Sequence, residues 1–237
     1  MQNQKDEKQA QTGFIQSQTK IIPNHFNECF SLINGSPIYD FSKCLVYLEW
    51  KGKEIFGEKF KIYPEDHKII YKLLLYIIGD KENAPAHGLT LTKGLLVTGP
   101  IGCGKTSLMK LLRFFQPPDK RYLVRSCREI SFDFIRDGYD VIQLYTYGHA
   151  HESFKTYCFD DLGTENNFKY YGNECNVMGE IILSRYELFV TKGILTHITT
   201  NCNSLEIENL YGNRVRSRMR EMFNLIPFVM HVKDKRG

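Results

Sequence analysis

Eight consecutive residues, Gly99-Pro-Ile-Gly-Cys-Gly-Lys-Thr106, carry the pattern G-x-x-x-x-G-K-[ST] in full. Gly99, Gly102 and Gly104 let the backbone curl so that successive N–H groups point inward at phosphate oxygens. The helix that follows adds the positive end of its dipole. Lys105 is expected to reach the β- and γ-phosphates, and the Thr106 hydroxyl to ligate Mg²⁺. The composition therefore points to a nucleoside triphosphate, ATP with Mg²⁺, held by Gly99, Pro100, Ile101, Gly102, Cys103, Gly104, Lys105, Thr106 and Ser107. Position 103 needs only a small side chain, which Cys103 supplies.

A second chemical feature is Tyr157-Cys-Phe-Asp-Asp161, an apolar run ending in two carboxylates, which is the form of a Walker B element. Asp160 is expected to hold Mg²⁺ through water, and Asp161 to polarise the attacking water. Many ATPases of this sort place Glu second. Asp161 is one methylene shorter, a departure that bears on the rate of hydrolysis and not on nucleotide binding. Glu165 is the alternative for the base role. Further on, Ile194-Leu-Thr-His-Ile-Thr-Thr-Asn201 is an apolar run with a polar end. Asn201 is expected to hydrogen-bond the attacking water or the γ-phosphate; the alternative is that it begins a turn and caps the next helix.

The segment Gly212-Asn-Arg-Val-Arg-Ser-Arg-Met-Arg220 places arginines at alternate positions. On a helix Arg214 and Arg218 share one face, and Arg216 and Arg220 another. Arg121, Arg125 and Arg128 form a looser cluster, and Phe168, Tyr170 and Tyr171 are of a type that stacks on bases. Aromatic residues at such positions are more often packed than exposed, so none is assigned to a nucleic-acid site.

These groups need elements to position them. From residue 87 onward the pattern alternates strand and helix. Strands are expected at 95–97, 122–126, 156–159 and 194–199. Helices are expected at 105–115, 130–136, 174–190 and 212–222. Such alternation argues for a mostly parallel sheet covered on both faces. Ahead of it, Pro64 suits a first helical position, Glu65 and Asp66 the positive end of the dipole, and Gly79 a stop. Ile69, Ile70, Leu73, Leu74 and Ile77 repeat between them at helical spacing. The polar stretch 80–86 reads as a linker. The expected organisation is a disordered tail at 1–20, a small partner-binding region at 21–86 and an ATPase core at 87–237.

Composition sets the outer bounds. The 237 residues are 42% hydrophobic and 24% charged, and no apolar run is long enough to cross a bilayer. The Gln-rich opening lacks the apolar stretch of a signal peptide. The seven cysteines are odd in number and form no Cys-x-x-Cys pair, so a reducing cytoplasm fits better than a disulfide framework or a zinc site. A formal charge of +4 is too small to establish a nucleic-acid partner.

The order of these elements is more specific than any one of them. A phosphate loop is followed by Asp-Asp-Leu-Gly, then a Thr-Thr-Asn strand end, then Gly-x-Arg-Val-x-x-Arg-Met-Arg. This order resembles the AAA+ helicase loaders of the DnaC kind, with the IstB kind of transposition helper ATPase in the same clade. The resemblance covers roughly 87–223. It implies that Arg218 is an arginine finger inserted into a neighbouring subunit's ATP site, with Arg214 as runner-up. It also implies a nucleotide-dependent homo-oligomer acting in DNA replication on single-stranded DNA and on a replicative helicase, or on a transposase. AAA+ proteins commonly carry a helical lid after the finger. Only 221–237 remains here, so the expected fold is a P-loop NTPase of AAA+ type with a parallel sheet, flanking helices and no full C-terminal lid. A solvated basic face, or a contact to nucleic-acid phosphates, is the alternative for Arg218. Two other functions stay open. One is a P-loop small-molecule kinase using Asp160 or Asp161 as base, against which the short tail and the Thr-Thr-Asn end count. The other is a nucleotide-dependent module that barely hydrolyses ATP.

Overall fold

A computed structural model of the chain describes residues 13–15, 26–148, 154–165, 168–170 and 173–228. The chain divides into two units, Met1–Leu91 and Thr92–Gly237.

In the first unit β1 (Gly13–Ile15) runs parallel to β3 (Ser36–Asp40), and β2 (Phe30–Ile33) pairs with β3 as a hairpin. Asn34 and Gly35, both at positive φ, supply the two-residue turn that a twisted hairpin favours. Asp40 caps α1 (Phe41–Phe56) by accepting the Lys43 N–H. The helix expected after Pro64 is α2 (His67–Ile77), which buries Ile70, Leu73, Leu74 and Ile77. The stretch read as a linker is instead ordered. Asp80 is fully buried, and its carboxylate accepts the N–H groups of Glu82 and Asn83 and the Asn83 side-chain amide. That Asx turn starts the short α3 (Asn83–Ala86); polar composition alone does not separate such a turn from a linker.

The second unit is built on a five-stranded sheet. In chain order its elements are β4 (Gly94–Thr98), α4 (Lys105–Leu112), β5 (Leu123–Ser126), α5 (Cys127–Asp137), α6 (Tyr139–Thr146) and β6 (Tyr157–Leu162). They continue with the hairpin β7 (Phe168–Tyr170) and β8 (Asn173–Cys175), then α7 (Val177–Lys192), β9 (Thr196–Thr200), α8 (Ser204–Met222) and β10 (Phe223–Pro227). The sheet order is β10-β4-β9-β6-β5, with every pairing parallel. All parallel strands therefore end on one edge, and β9 lies between the strand that feeds the phosphate loop and the strand that ends in the two acids. Gly94 permits that neighbour to close in, since a Cβ there would stand 1.7 Å from the Thr196 carbonyl oxygen. Phe159, Ile198, Ile181, Phe134, Val215 and Met219 meet in the apolar core. Among the described residues no helix is long and apolar enough to cross a membrane.

Beneath the sheet edge opposite the loop ends, Arg185 on α7 is fully buried. It donates to Thr196 Oγ1 at 2.9 Å, to Lys155 O at 3.1 Å and to Leu195 O at 2.7 Å. The neighbouring His197 accepts the Leu95 N–H at Nδ1 over 3.1 Å. Burial, and after it the Arg185 charge, pushes the His197 pKa down to about 3 from an ordinary 6.5. The unfolded chain takes up this proton below pH 6.5 and the folded chain does not. Its contribution to stability is therefore whole above that pH and is lost as pH falls toward 3, at up to about 1.4 kcal/mol per pH unit. Urea unfolding at pH 6 and pH 5 should show this loss before carboxylates titrate, and His197→Gln should flatten it. An unchanged slope in the variant would assign the pH dependence elsewhere.

Candidate functional site

The loop between β4 and α4 turns at Gly99, Gly102 and Gly104, all at positive φ, and Gly104 at φ 97° is the cap from which α4 begins. Its start is tied to β9, where the Gly99 N–H donates to the Thr200 carbonyl at 3.3 Å. Cys103 is buried behind the loop, and a Cβ on Gly99 would meet its Sγ at 3.3 Å and Phe228 Cβ at 2.7 Å. Lys105, 5% exposed, donates from Nζ to Gly99 O at 2.8 Å and Pro100 O at 2.9 Å. Its ammonium thus sits inside the curl of the loop. Ile101 projects at the tip, 64% exposed, while Pro100 and Ser107 are half-buried.

The acids meet the loop from β6. Asp160 is 7% exposed, and its Oδ1 accepts from two hydroxyls, Thr106 Oγ1 at 2.9 Å and Thr199 Oγ1 at 2.6 Å. Thr199 in turn accepts the Asp161 N–H at 2.9 Å. The register of β6 against β9 shifts between Phe159 and Leu162, and Asp161 takes φ 57° at that irregularity, exposed. Positive φ is uncommon outside glycine, and Asp is among the residues that tolerate it. A hydroxyl and a carboxylate 2.9 Å apart beneath a phosphate loop are hard oxygen donors, the set that suits Mg²⁺.

Thr199 is the residue that sequence reasoning passed over. The signal was present. In a strand of period two, Thr199 shares a face with position 201, one step deeper into the sheet. Asn201 itself follows β9 directly and is exposed at the loop edge. The helix cap considered for it belongs to Asn203, which accepts the Leu205 and Glu206 N–H groups while Glu206 reaches back to the Asn203 N–H. Glu165 is engaged at both oxygens. Oε2 accepts the Gly163 N–H at 2.9 Å, and Oε1 accepts the Tyr211 hydroxyl.

The basic segment lies on the second half of α8, past a break at Gly212 with φ 84° and ψ 162°. Val215, Met219 and Met222 face the core, which leaves Arg214 and Arg220 exposed. Arg216 spans the break to Glu208 at 2.8 Å. Arg218 lies over the Tyr186 ring at 4.3 Å and donates to the Tyr186 oxygen at 3.2 Å and to Glu221 at 3.4 Å. Among the described residues these contacts lie on α7 and on its own helix. Of the looser basic cluster, Arg121 donates to Gln116 O and stacks on Phe114, Arg128 stacks on the exposed Phe132, and Arg125 is exposed. The side chains of Phe168 and Tyr170, and Tyr171 as a whole, lie outside the described residues.

No protein-family profile and no curated protein sequence matches the chain. Among solved structures it is similar to the crystal structure of the DnaC helicase loader, with a TM-score of 0.50 and 18% identity over 71% of this chain and 92% of that one. It is also similar to the crystal structure of the DnaI, with a TM-score of 0.49 and 17% identity over 71% of this chain and 88% of that one. At such identity the first likeness shows a shared fold alone, and the second unit carries a five-stranded parallel sheet with flanking helices.

Proposed function

We propose that this chain binds and hydrolyses ATP with Mg²⁺, assembles with copies of itself on single-stranded DNA, and acts on a replicative helicase as a DnaC-like loader. The observation that carries the reading is the convergence of Thr106 and Thr199 on Asp160 beneath the phosphate loop. The shared fold with a helicase loader supports the choice among P-loop functions.

Bound Mg-ATP supplies the γ-phosphoryl group and the metal that neutralises its charge. The chain does the rest by position. The N–H groups of 101–106 would receive the phosphates, and Lys105 would exchange its Gly99 and Pro100 carbonyls for phosphate oxygens. Thr106 and Asp160 hold the metal. Asp161 accepts the proton of the attacking water, and Asn201 orients that water. Arg218 leaves Tyr186 to stabilise charge at a neighbour's site, so hydrolysis depends on assembly. The region 21–86, ahead of the ATPase core, is the proposed grip on the helicase.

Thr199 holds both acids in this scheme without touching the reacting atoms. Thr199→Val keeps the volume but leaves Asp160 short of a donor and the Asp161 N–H without its acceptor. Turnover should fall about a hundredfold, with nucleotide affinity in the absence of Mg²⁺ unchanged. Wild-type turnover in this variant would remove Thr199 from the site.

The reading as a whole is tested by ATP hydrolysis per chain as protein concentration rises, with and without single-stranded DNA, and by ATP-dependent co-sedimentation with the replicative helicase. Turnover should climb with concentration and with DNA, and the helicase should be carried down. Turnover indifferent to both would sink the assembling reading. Capture of a transposase and not the helicase would redirect the partner.

A further inference from the structure

The turn behind the two acids and the helix bearing the arginines are joined by a contact that nucleotide binding itself does not need. The Asp161 carbonyl accepts from Thr164 N at 3.2 Å and Thr164 Oγ1 at 2.7 Å, closing a tight turn. From that turn Glu165 braces the Gly163 N–H with one oxygen and takes the Tyr211 hydroxyl with the other. Tyr211 is the last residue before the break in α8, and Gly212 holds a conformation that L side chains rarely adopt. The Leu210 carbonyl accepts from Asn176 Nδ2 at 2.6 Å, and Asn176 Oδ1 caps α7 through the Gly179 N–H. The break is thus pinned from the acid turn by one side chain and from α7 by another. Beyond it, 213–222 is a separate helical piece, seated on the core by Val215, Met219 and Met222 and tied across the break by Arg216 to Glu208. Burial, and then the Glu165 charge, holds the Tyr211 pKa far above its ordinary value.

We infer that Tyr211 is a positioning residue, and that with Glu165 it forms a strut linking the acidic end of β6 to the orientation of the arginine segment 213–222. Tyr211 acts through Arg214 and Arg218 and touches neither nucleotide nor metal. A change at Asp161 on nucleotide binding has a short way to travel, since the turn from Asp161 to Glu165 is closed by hydrogen bonds at both ends. Linkage runs both ways, so an arginine segment seated against a neighbour would in turn favour one setting of the acid turn. The inference rests on the proposed ATP binding, and the test separates the two.

The experiment is amide hydrogen exchange on the dilute full chain, with Mg²⁺ and a non-hydrolysable ATP analogue present or absent. In wild type both the loop 99–106 and the segment 213–222 should exchange at least about fivefold more slowly with nucleotide. In Tyr211→Phe the loop should stay protected while the response of 213–222 disappears, and Glu165→Ala should behave the same way. Glu165→Gln should keep the wild-type response, because its amide oxygen still accepts from Gly163 and its amide N–H donates to the Tyr211 oxygen. Faster exchange throughout in Tyr211→Phe and Glu165→Ala, the loop included, would mark a merely structural role and overturn the strut. A wild-type segment that ignores nucleotide while the loop responds, or a Tyr211→Phe segment that responds as wild type does, overturns the strut. A loop that gains no protection overturns ATP binding, and the strut with it.

Discussion

Lys105→Ala should abolish ATP turnover and weaken nucleotide binding by about a hundredfold or more, read by titration with a fluorescent ATP analogue. The lysine is 5% exposed and is enclosed by the carbonyls of Gly99 and Pro100, so its charge stands where phosphates would lie, shielded from water by the loop. In such a setting a cation is worth far more than on an open surface. Alanine also leaves those two carbonyls without a charged donor. The loop, however, faces the open end of the sheet, while the core packs around Phe159 and Ile198. The variant should therefore keep its fold and its melting temperature within a few degrees. Affinity within twofold of wild type would show that the loop does not bind nucleotide through this residue.

Arg218→Ala is expected to lower turnover about a thousandfold under conditions where the wild type is assembled, with nucleotide affinity of the dilute chain unchanged. The split follows from where the side chain lies. Among the described residues Arg218 contacts Tyr186 on α7 and Glu221 on its own helix, so the proposed finger role gives it no part in binding within one chain. Its hold there is light. The ion pair is long at 3.4 Å and exposed, a type that contributes little in water, and the Tyr186 ring beneath the guanidinium is only partly buried. Release to a neighbour's γ-phosphate therefore costs the chain little. Arg214, one turn earlier and exposed, is the comparison: its removal should leave turnover much closer to wild type.

The glycine-rich loop at 99–106 was legible in the sequence as a turn between a strand and a helix, because Gly99, Gly102 and Gly104 take positive φ there and α4 begins at Lys105. The two acids were legible as an apolar strand that ends in charge. The role of Thr199 was not, because its bond to Asp160 depends on β9 running between β4 and β6, a tertiary order that a string of residues does not announce. The Glu165–Tyr211 bond is hidden in the same way, with 46 positions between the partners. In the fold, the strands β4, β5, β6 and β9 fell close to the expected positions. The helix expected from 174 begins at Val177 because Asn176 caps it. β10 was missed, since Phe-Asn-Leu-Ile-Pro is short, mixed in polarity and closed by proline. It is a strand because β4 offers it an open edge. The helix α6 and the β7–β8 hairpin lie in stretches without a clear period, where local pattern gives way to packing.

The central claim is that one chain's Arg218 completes another chain's ATP site, and mixing two inactive variants tests it most directly. Lys105→Ala retains the arginine but lacks a working loop. Arg218→Ala retains the loop but lacks the arginine. Each alone should turn over ATP at or near background. Mixed in equal amounts on single-stranded DNA, the two should regain turnover, because interfaces form in which a Lys105→Ala chain offers its Arg218 to an intact site on the other variant. A mixture that stays inactive while both variants still co-assemble, or an Arg218→Ala chain that is fully active alone, would contradict the claim and return Arg218 to the surface of α8.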